Sequence, residues 1–436
     1  MSPSSTPPTA PAEEIPPPQS TSKAAAAAWH RRTFASFAVP NYRWFFFGQG
    51  TSVVGLWMRD AAQGWLVFLL TGSYASLGLV TAVSRGTLGA MTPLGGLLAD
   101  RADKRRLLML LSVLSSAGSL ALGALVLSGG ATMVSVMVLA GLSAAVKGFE
   151  IPARQSFVVE MVGREHLANA VALNTAMFNS ARVLGPLLAG FVMYGSEAGI
   201  AACFLADGVS YFAILFSLTR IRPLPVESDR SEAGFGERLR EGVDYSWRTR
   251  RVRMFMILLL VFTAFGWSYL TILPAFAKTE LGLDTRGFGV LMALNGLGAL
   301  LGALWVAGRP APEDRRALRR SVFGTVGLSA AAVAAFAYAP STALASGALV
   351  VAGFGAIGFF SQGQTLVQLA VPDRLRGRVM GLWALLFIVG MALGGFLIGW
   401  AAEREQIGPR AAVAGSGAAC IVLSGALWAS LPKANG

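Results

Sequence analysis

The chain is poor in charge: of its 436 residues only 14% are Asp, Glu, Lys or Arg, against roughly a quarter in soluble domains. A surface that sparsely charged points to lipid. Histidine is nearly absent: His30 and His166 stand far apart, so a histidine metal centre is not expected. The two cysteines, Cys203 and Cys420, each sit inside an apolar run and read as small core residues, not as a disulfide or metal ligands. No G-x-x-x-x-G-K-[ST] phosphate loop is present, which argues against an ATP-driven pump. No nucleophile–base constellation is visible either, so the reading is of a non-enzyme without a cofactor. The net charge of +13 does not indicate nucleic acid, because the basic residues occupy short spacers and form no compact domain. A secretory leader is not expected. The segment before the first apolar run, near Trp44, is rich in Pro, Ser, Thr and Ala and carries Glu13 and Glu14, unlike a basic n-region.

What the chain has in abundance is apolar sequence, at 54% of residues. A bilayer crossing needs about 20 such residues. Runs of that kind lie at 43–70, 75–99, 107–127, 133–152, 168–194 and 199–219, then at 253–276, 286–307, 320–339, 342–366, 377–402 and 411–431. They are continuously apolar with no period of two, which excludes a β-barrel. The fold class predicted is an all-α integral membrane protein of about twelve spans. Its domains are a disordered tail and entry at 1–40, a six-span half at 41–219, a linker at 220–252, a second half at 253–431 and a short tail at 432–436.

Arginine and lysine orient the spans. One set of connections carries Arg101, Lys104, Arg105, Arg106, Arg154, Arg164, Arg309, Arg315, Arg316, Arg319, Arg320, Arg374, Arg376 and Arg378. The alternate set holds TGSY at 71–74, LSGGAT at 127–132 and APST at 339–342, with no basic residue. Of the loops at that end only the last carries notable charge, with Arg404 and Arg410 offset by Glu403 and Glu405. Both termini are therefore predicted to be cytoplasmic. Within the linker, Phe235, Leu239, Val243 and Trp247 recur at fours among arginines. That pattern suits an amphipathic helix lying on an anionic leaflet, or equally one packed on the ends of the spans.

The halves repeat at an offset of about 209 residues: GREHLANAV at 163–171 against PDRLRGRVM at 372–380, and LLADR at 97–101 against WVAGR at 305–309. Two parallel halves of six spans are a transporter plan with a site between them at mid-depth.

The Gly96-Leu97-Leu98-Ala99-Asp100-Arg101 run followed by Ala102-Asp103-Lys104-Arg105-Arg106 resembles the loop signature of the major facilitator superfamily, with Asp103 in place of the usual glycine. Ala181, Gly185, Pro186, Ala189 and Gly190 resemble its antiporter signature, with alanine for two glycines. Gly64-Trp65-Leu66, LTGS at 70–73, IPARQ at 151–155 and the stretch from Ala168 to Pro186 look like the enterobactin-exporter-like and macrolide-efflux-like branch of bacteria. The resemblance covers nearly everything after residue 40. It implies a bacterial inner-membrane exporter of a small amphiphilic, siderophore or drug-like molecule, working as a monomer by proton antiport. It also implies a gating latch in which Asp100, with Arg101 and Arg105 beside it, faces Arg376 and Arg378 at the start of span 11. The same residues suit a purely topological role. Ala181, Gly185, Pro186 and Gly190 on span 5, with Gly390 and Gly394 on span 11, are read as a close-packed interface hinge.

Ionisable residues at mid-depth are costly if they face lipid. Those read here are Arg59, Asp60, Arg85, Arg182 and Asp207, all in the first half. Asp60 and Arg85 each lie about 12 residues from the turn at Gly72–Ser73, hence at one depth. We expect Asp60 to carry the proton, Asp207 to be second, and Arg85 to pair with Asp60; a static ion pair that only fixes packing is the competing reading. Gln49, Ser52, Leu56, Asp60 and Gln63 form a polar stripe expected to face the cavity. Trp57, Asn174, Asn179, Tyr211, Trp267, Asn295, Gln362 and Trp383 are expected, with Gln49 and Gln63, to line it. An importer, or a lipid flippase, of the same fold is the alternative.

Overall fold

The computed structural model describes residues 33–222, 235–309 and 315–430. Residues 1–32 of the predicted tail and entry, the short tail at 432–436, the proline-rich part of the linker and the side chains of Phe235 and Leu239 lie outside the described residues; the described part of the entry holds a short 3-10 helix, Ala35–Ala38. Span 1 is Pro40–Thr71, span 2 Tyr74–Arg101 and span 3 Lys104–Leu127. Span 4, Met133–Gly163, runs into span 5 at 164–192, and span 6 is Glu197–Arg220. A surface helix, Phe235–Arg248, precedes span 7, Arg250–Thr279. Spans 8 to 12 are Thr285–Ala307, Arg315–Ala337, Thr342–Ala370, Asp373–Ala402 and Gly408–Ala429.

Ten of these helices are long and apolar enough to cross a membrane. Spans 2 and 5 fall outside that set because their small and polar residues, which pack against the opposite half, lower their hydropathy. The helices start where the sequence supplies caps. Ser73, Asp103, Thr132, Ser196, Asp284 and Ser341 each accept a backbone N–H three residues on, satisfying donors that the first helical turn leaves free. The connection between spans 4 and 5 differs from expectation. In place of a loop over 153–167, the helix continues to Gly163, whose φ of 70° and ψ of 177° alone break it. Only glycine takes that conformation without strain.

Span 7 is interrupted by a π turn at Phe262–Gly266. There the Thr263 hydroxyl bonds back to the Leu259 and Leu260 carbonyls. Gly390 and Gly394 of span 11 lie directly against this segment, facing Thr263 and Ala264.

The halves meet through two glycine pairs. Gly190 of span 5 crosses Gly289 of span 8, where an added methyl would come within 2.9 Å of the Gly289 Cα. Gly399 of span 11 crosses Gly78 of span 2 in the same way, at 2.9 Å. Gly190 and Gly399 are separated by the repeat offset, so the two crossings are equivalents under the internal symmetry. Both lie toward the end carrying the loops at 71–74, 127–132 and 339–342, which hold no basic residue, here the neutral end. One hydrophobic core joins both halves there, including Trp65, Leu77, Phe276 and Phe288. Toward the opposite, basic end the core divides, with Phe157 and Tyr211 in the first half and Phe359 and Trp383 in the second. A methyl built at Gly86 or Gly96 of span 2, or at Gly377 or Gly381 of span 11, meets no atom within 4 Å. The bundle is closed at the neutral end and parted at the basic end.

Candidate functional site: a charged seam at mid-depth

Spans 1 and 6 cross closely because Gly55 carries no side chain: a methyl there would lie 2.7 Å from Ser210 Oγ and 3.1 Å from Asp207 Oδ1. The crossing brings Arg59, Asp60 and Asp207 together. Arg59 bonds Asp60 at 3.1 Å and approaches Asp207 Oδ2 at 3.9 Å. Ser119 of span 3 donates to the same Oδ2 at 2.5 Å. Asp60 is 39% exposed, Asp207 fully buried. The second Asp207 oxygen, Oδ1, has no hydrogen-bond partner.

The expected Asp60–Arg85 pair is not formed. Arg59 is the partner of Asp60, while Arg85 on span 2 makes no ion pair with the described residues. Equal depth places two residues in one layer but says nothing of which way each helix is turned.

A second charged group was not foreseen from the sequence. On span 4, Glu150 binds Lys147 and Arg154, each at 2.6 Å, and is buried. Lys147 also lies over the Tyr211 ring and Arg154 over Phe178. The signal was present, since three charges at i, i+3 and i+7 within an apolar run call for mutual neutralisation. Gln49 and Ser52 border a small cavity beside Glu150, Arg154 and Tyr211. The upper part of the stripe therefore faces the interior of the first half, not the space between halves. Among this stripe, Asp60 is the exposed member of the charge cluster.

Other residues expected to line the cavity make contacts within the protein. Asn295 donates to Tyr269 Oη at 2.7 Å and to the Leu349 carbonyl, tying spans 7, 8 and 10. Gln362 and Asn179 each bond their own helix backbone. Asn174 accepts from the Tyr42 hydroxyl at 3.3 Å. Tyr211 and Trp383 are buried in the separate cores of the two halves. Gln63 is half-buried. Trp57 and Trp267 stand at the seam on either side of Arg182, 5.7 and 5.0 Å from its guanidinium.

Of the expected hinge, Pro186 and Gly190 do lie on the seam, against Gly289. Gly185 packs on Trp57 and Ala181 beside Val53 and Met177, inside the first half. Gly390 and Gly394 pack on span 7, inside the second half. Small residues mark close approach, and the partner helix has to come from the fold.

The latch residues are apart. Asp100 and Arg101 are exposed, and Asp100 forms no ion pair with the described residues. Arg105 donates to the Leu218 and Thr219 carbonyls at the end of span 6, a favourable place for a cation. Arg376 pairs with Asp373 at 2.5 Å, and Arg378 with Glu241 of the surface helix. That helix is packed on span 11, with Gly242 against the Arg378 backbone, and Tyr245 is bonded to the Ala370 carbonyl at the end of span 10. The interlock that does exist is at the neutral end. Glu403 Oε2 accepts from Ser73 Oγ and from the Tyr74 and Ala75 backbone N–H groups at 3.1, 2.7 and 3.1 Å. Tyr74 and Thr279 share a hydroxyl bond across the same seam.

A two-half bundle of twelve spans, parted at one end with charges held at mid-depth, is the architecture of a membrane transporter of the major facilitator superfamily, not of an enzyme. Within it, the chain belongs to the transmembrane secretion effector family, which it matches over residues 31–435. It is similar to the multidrug efflux pump Tap of Mycolicibacterium fortuitum, 29% identical over 365 residues, covering 82% of this chain and 88% of that protein. It is also similar to the enterobactin exporter EntS of Salmonella typhimurium, 26% identical over 387 residues and covering 88% and 91%. Among solved structures the fold matches the nucleoside transporter NupG (TM-score 0.69, 16% identity, 89% of this chain and 98% of that one). It likewise matches a bacterial homologue of the iron transporter ferroportin in an inward-facing state (TM-score 0.68, 16% identity, 90% and 99%).

Proposed function

We propose that the chain exports a small amphiphilic organic molecule, drug-like or siderophore-like, from a bacterial cytoplasm by proton antiport and alternating access. The basic end and both termini face the cytoplasm in the inner membrane, so the described state is open to the inside, and one chain suffices for transport. The efflux direction and the cargo class rest on the likeness to Tap and EntS.

The observation that carries the coupling is one guanidinium between two carboxylates. Arg59 can neutralise Asp60 or Asp207 but not both, so the trio is one positive charge short when both acids are ionised. A proton supplies it. In the described state Arg59 sits nearer Asp60, which leaves Asp207 as the acid in need of a proton; its full burial and its unpartnered Oδ1 suit a protonated carboxyl. When the halves rock, Arg59 shifting to Asp207 leaves Asp60 to take the proton at the cavity surface. Each proton entering releases about 2.3 kcal/mol per 100 mV of membrane potential, enough for uphill export of modest ratio.

The test is uncoupler-sensitive efflux of a compound panel from cells carrying the wild type, Asp60→Asn, Asp207→Asn or Ser119→Ala. Both Asn variants should abolish proton-driven efflux while allowing downhill exchange. Undiminished gradient-driven efflux in both would end the proposal.

A further inference from the structure

Arg182 has no counter-charge. It lies on span 5, 10 residues before the end of the helix at Val192 and hence about 15 Å deep. It makes no hydrogen bond or ion pair with the described residues. Of the buried or half-buried carboxylates at mid-depth, Asp60 and Asp207 are engaged with Arg59, and Glu150 is held by Lys147 and Arg154. What flanks the guanidinium is aromatic: Trp57 of span 1 at 5.7 Å and Trp267 of span 7 at 5.0 Å. The two indoles come from opposite halves. Rings stabilise a cation through their faces, but they leave its five N–H donors unsatisfied. Trp57 Nε1 beside it is likewise buried without a partner. Arg182 itself is only half-buried and none of its nitrogens is sealed from solvent without a partner, so its donors reach the open part of the seam.

We infer that this seam between Trp57, Arg182 and Trp267 is the recognition site for the anionic group of an aromatic cargo, with a carboxylate or comparable oxyanion on the Arg182 fork and the ring system against the two indoles. The inference rests on the transport reading above and names its substrate class. A forked guanidinium matches a planar oxyanion with two parallel hydrogen bonds, and the orphan indole N–H supplies a third. A cationic amphiphile meets its own sign of charge at Arg182 and at Arg85, which also makes no ion pair with the described residues. Since the indoles belong to different halves, rocking changes their separation, so the site is complete in one state and loosened in the other. An anionic cargo also makes the cycle more strongly driven: a proton moving in and an anion moving out both follow an inside-negative potential.

The test is equilibrium binding to the purified full-length protein in lipid nanodiscs, read by tryptophan fluorescence. The probes share one ring system: 1-naphthoate, its neutral amide and 1-naphthylmethylammonium. Saturable quenching is expected with naphthoate and weaker or none with the amide and the ammonium. Arg182→Gln should weaken naphthoate by about tenfold or more, and Arg182→Lys, which keeps the charge without the fork, should fall between. Naphthoate binding that is absent, that is no tighter than the ammonium's, or that is unchanged in Arg182→Gln overturns the assignment. The wild-type selectivity decides the matter even if a variant fails to fold. Anion-selective binding without uncoupler-sensitive efflux would sink the antiport reading and leave this site standing.

Discussion

Replacing Glu403 by glutamine should release the neutral end. One oxygen of this carboxylate accepts three hydrogen bonds from the first residues of span 2, and Glu403 itself follows the last turn of span 11 in the other half. It therefore acts as a negatively charged cap, at the positive end of a helix dipole, supplied across the seam. The loop bearing it is anchored by Arg410, which bonds Glu280 Oε2 at 2.7 Å and the Glu280 and Ala337 carbonyls, so the carboxylate is held in place before the halves close. Bonds to an ionised group are worth about 1.5–3 kcal/mol when shielded; Glu403 is exposed, and solvent takes back much of that. Glutamine keeps the shape and a weaker acceptor. The closed state should lose about 1–2 kcal/mol, which is a shift of about 5- to 30-fold in the ratio of the two states. Spin labels at Ser128 and Ser341, on neutral-end loops of opposite halves, would report it as a longer distance population. Glu405→Gln, on the same loop without those bonds, is the control. A Glu403→Gln distance distribution indistinguishable from wild type would refute the reasoning.

Two further predictions concern packing. Glu150→Gln strands Lys147 and Arg154 without their shared anion and should cost about 3–5 kcal/mol; this would appear as a lower unfolding temperature in detergent, partly restored when Lys147→Met is added. A single variant as stable as wild type would show the trio to be solvated. Gly190→Leu has no room against the Gly289 backbone and should prevent neutral-end closure, abolishing transport while membrane levels are retained. Gly324→Leu, at a position with open space around it, should transport normally.

The charges at mid-depth show how far the residues could be read. Arg59, Asp60 and Asp207 were singled out because each is expensive in an apolar run, and the fold does gather them. The partner of Asp60 is not legible in the sequence, because depth along a span is countable whereas rotation about its axis is set by neighbours such as Gly55 against Ser210. The neutral-end cap by Glu403 is not legible in the sequence because two of its three partners are backbone amides, which no side-chain pattern announces. Arg182 is legible as a cation at mid-depth, yet its indole neighbours come from spans 1 and 7 and meet only in the folded bundle.

By itself the sequence determined the number of spans, their grouping into two repeated halves and the layer in which the buried charges sit. Each follows from local quantities: apolar run length, the spread of arginine among the loops, and 1.5 Å of rise per residue. Only the tertiary structure decided which charge serves which, which glycines cross the seam and which end is shut. One sequence must support both an open and a closed end, so the choice between them resides in contacts such as Gly78 on Gly399 and Glu403 on span 2, formed between residues far apart in the chain.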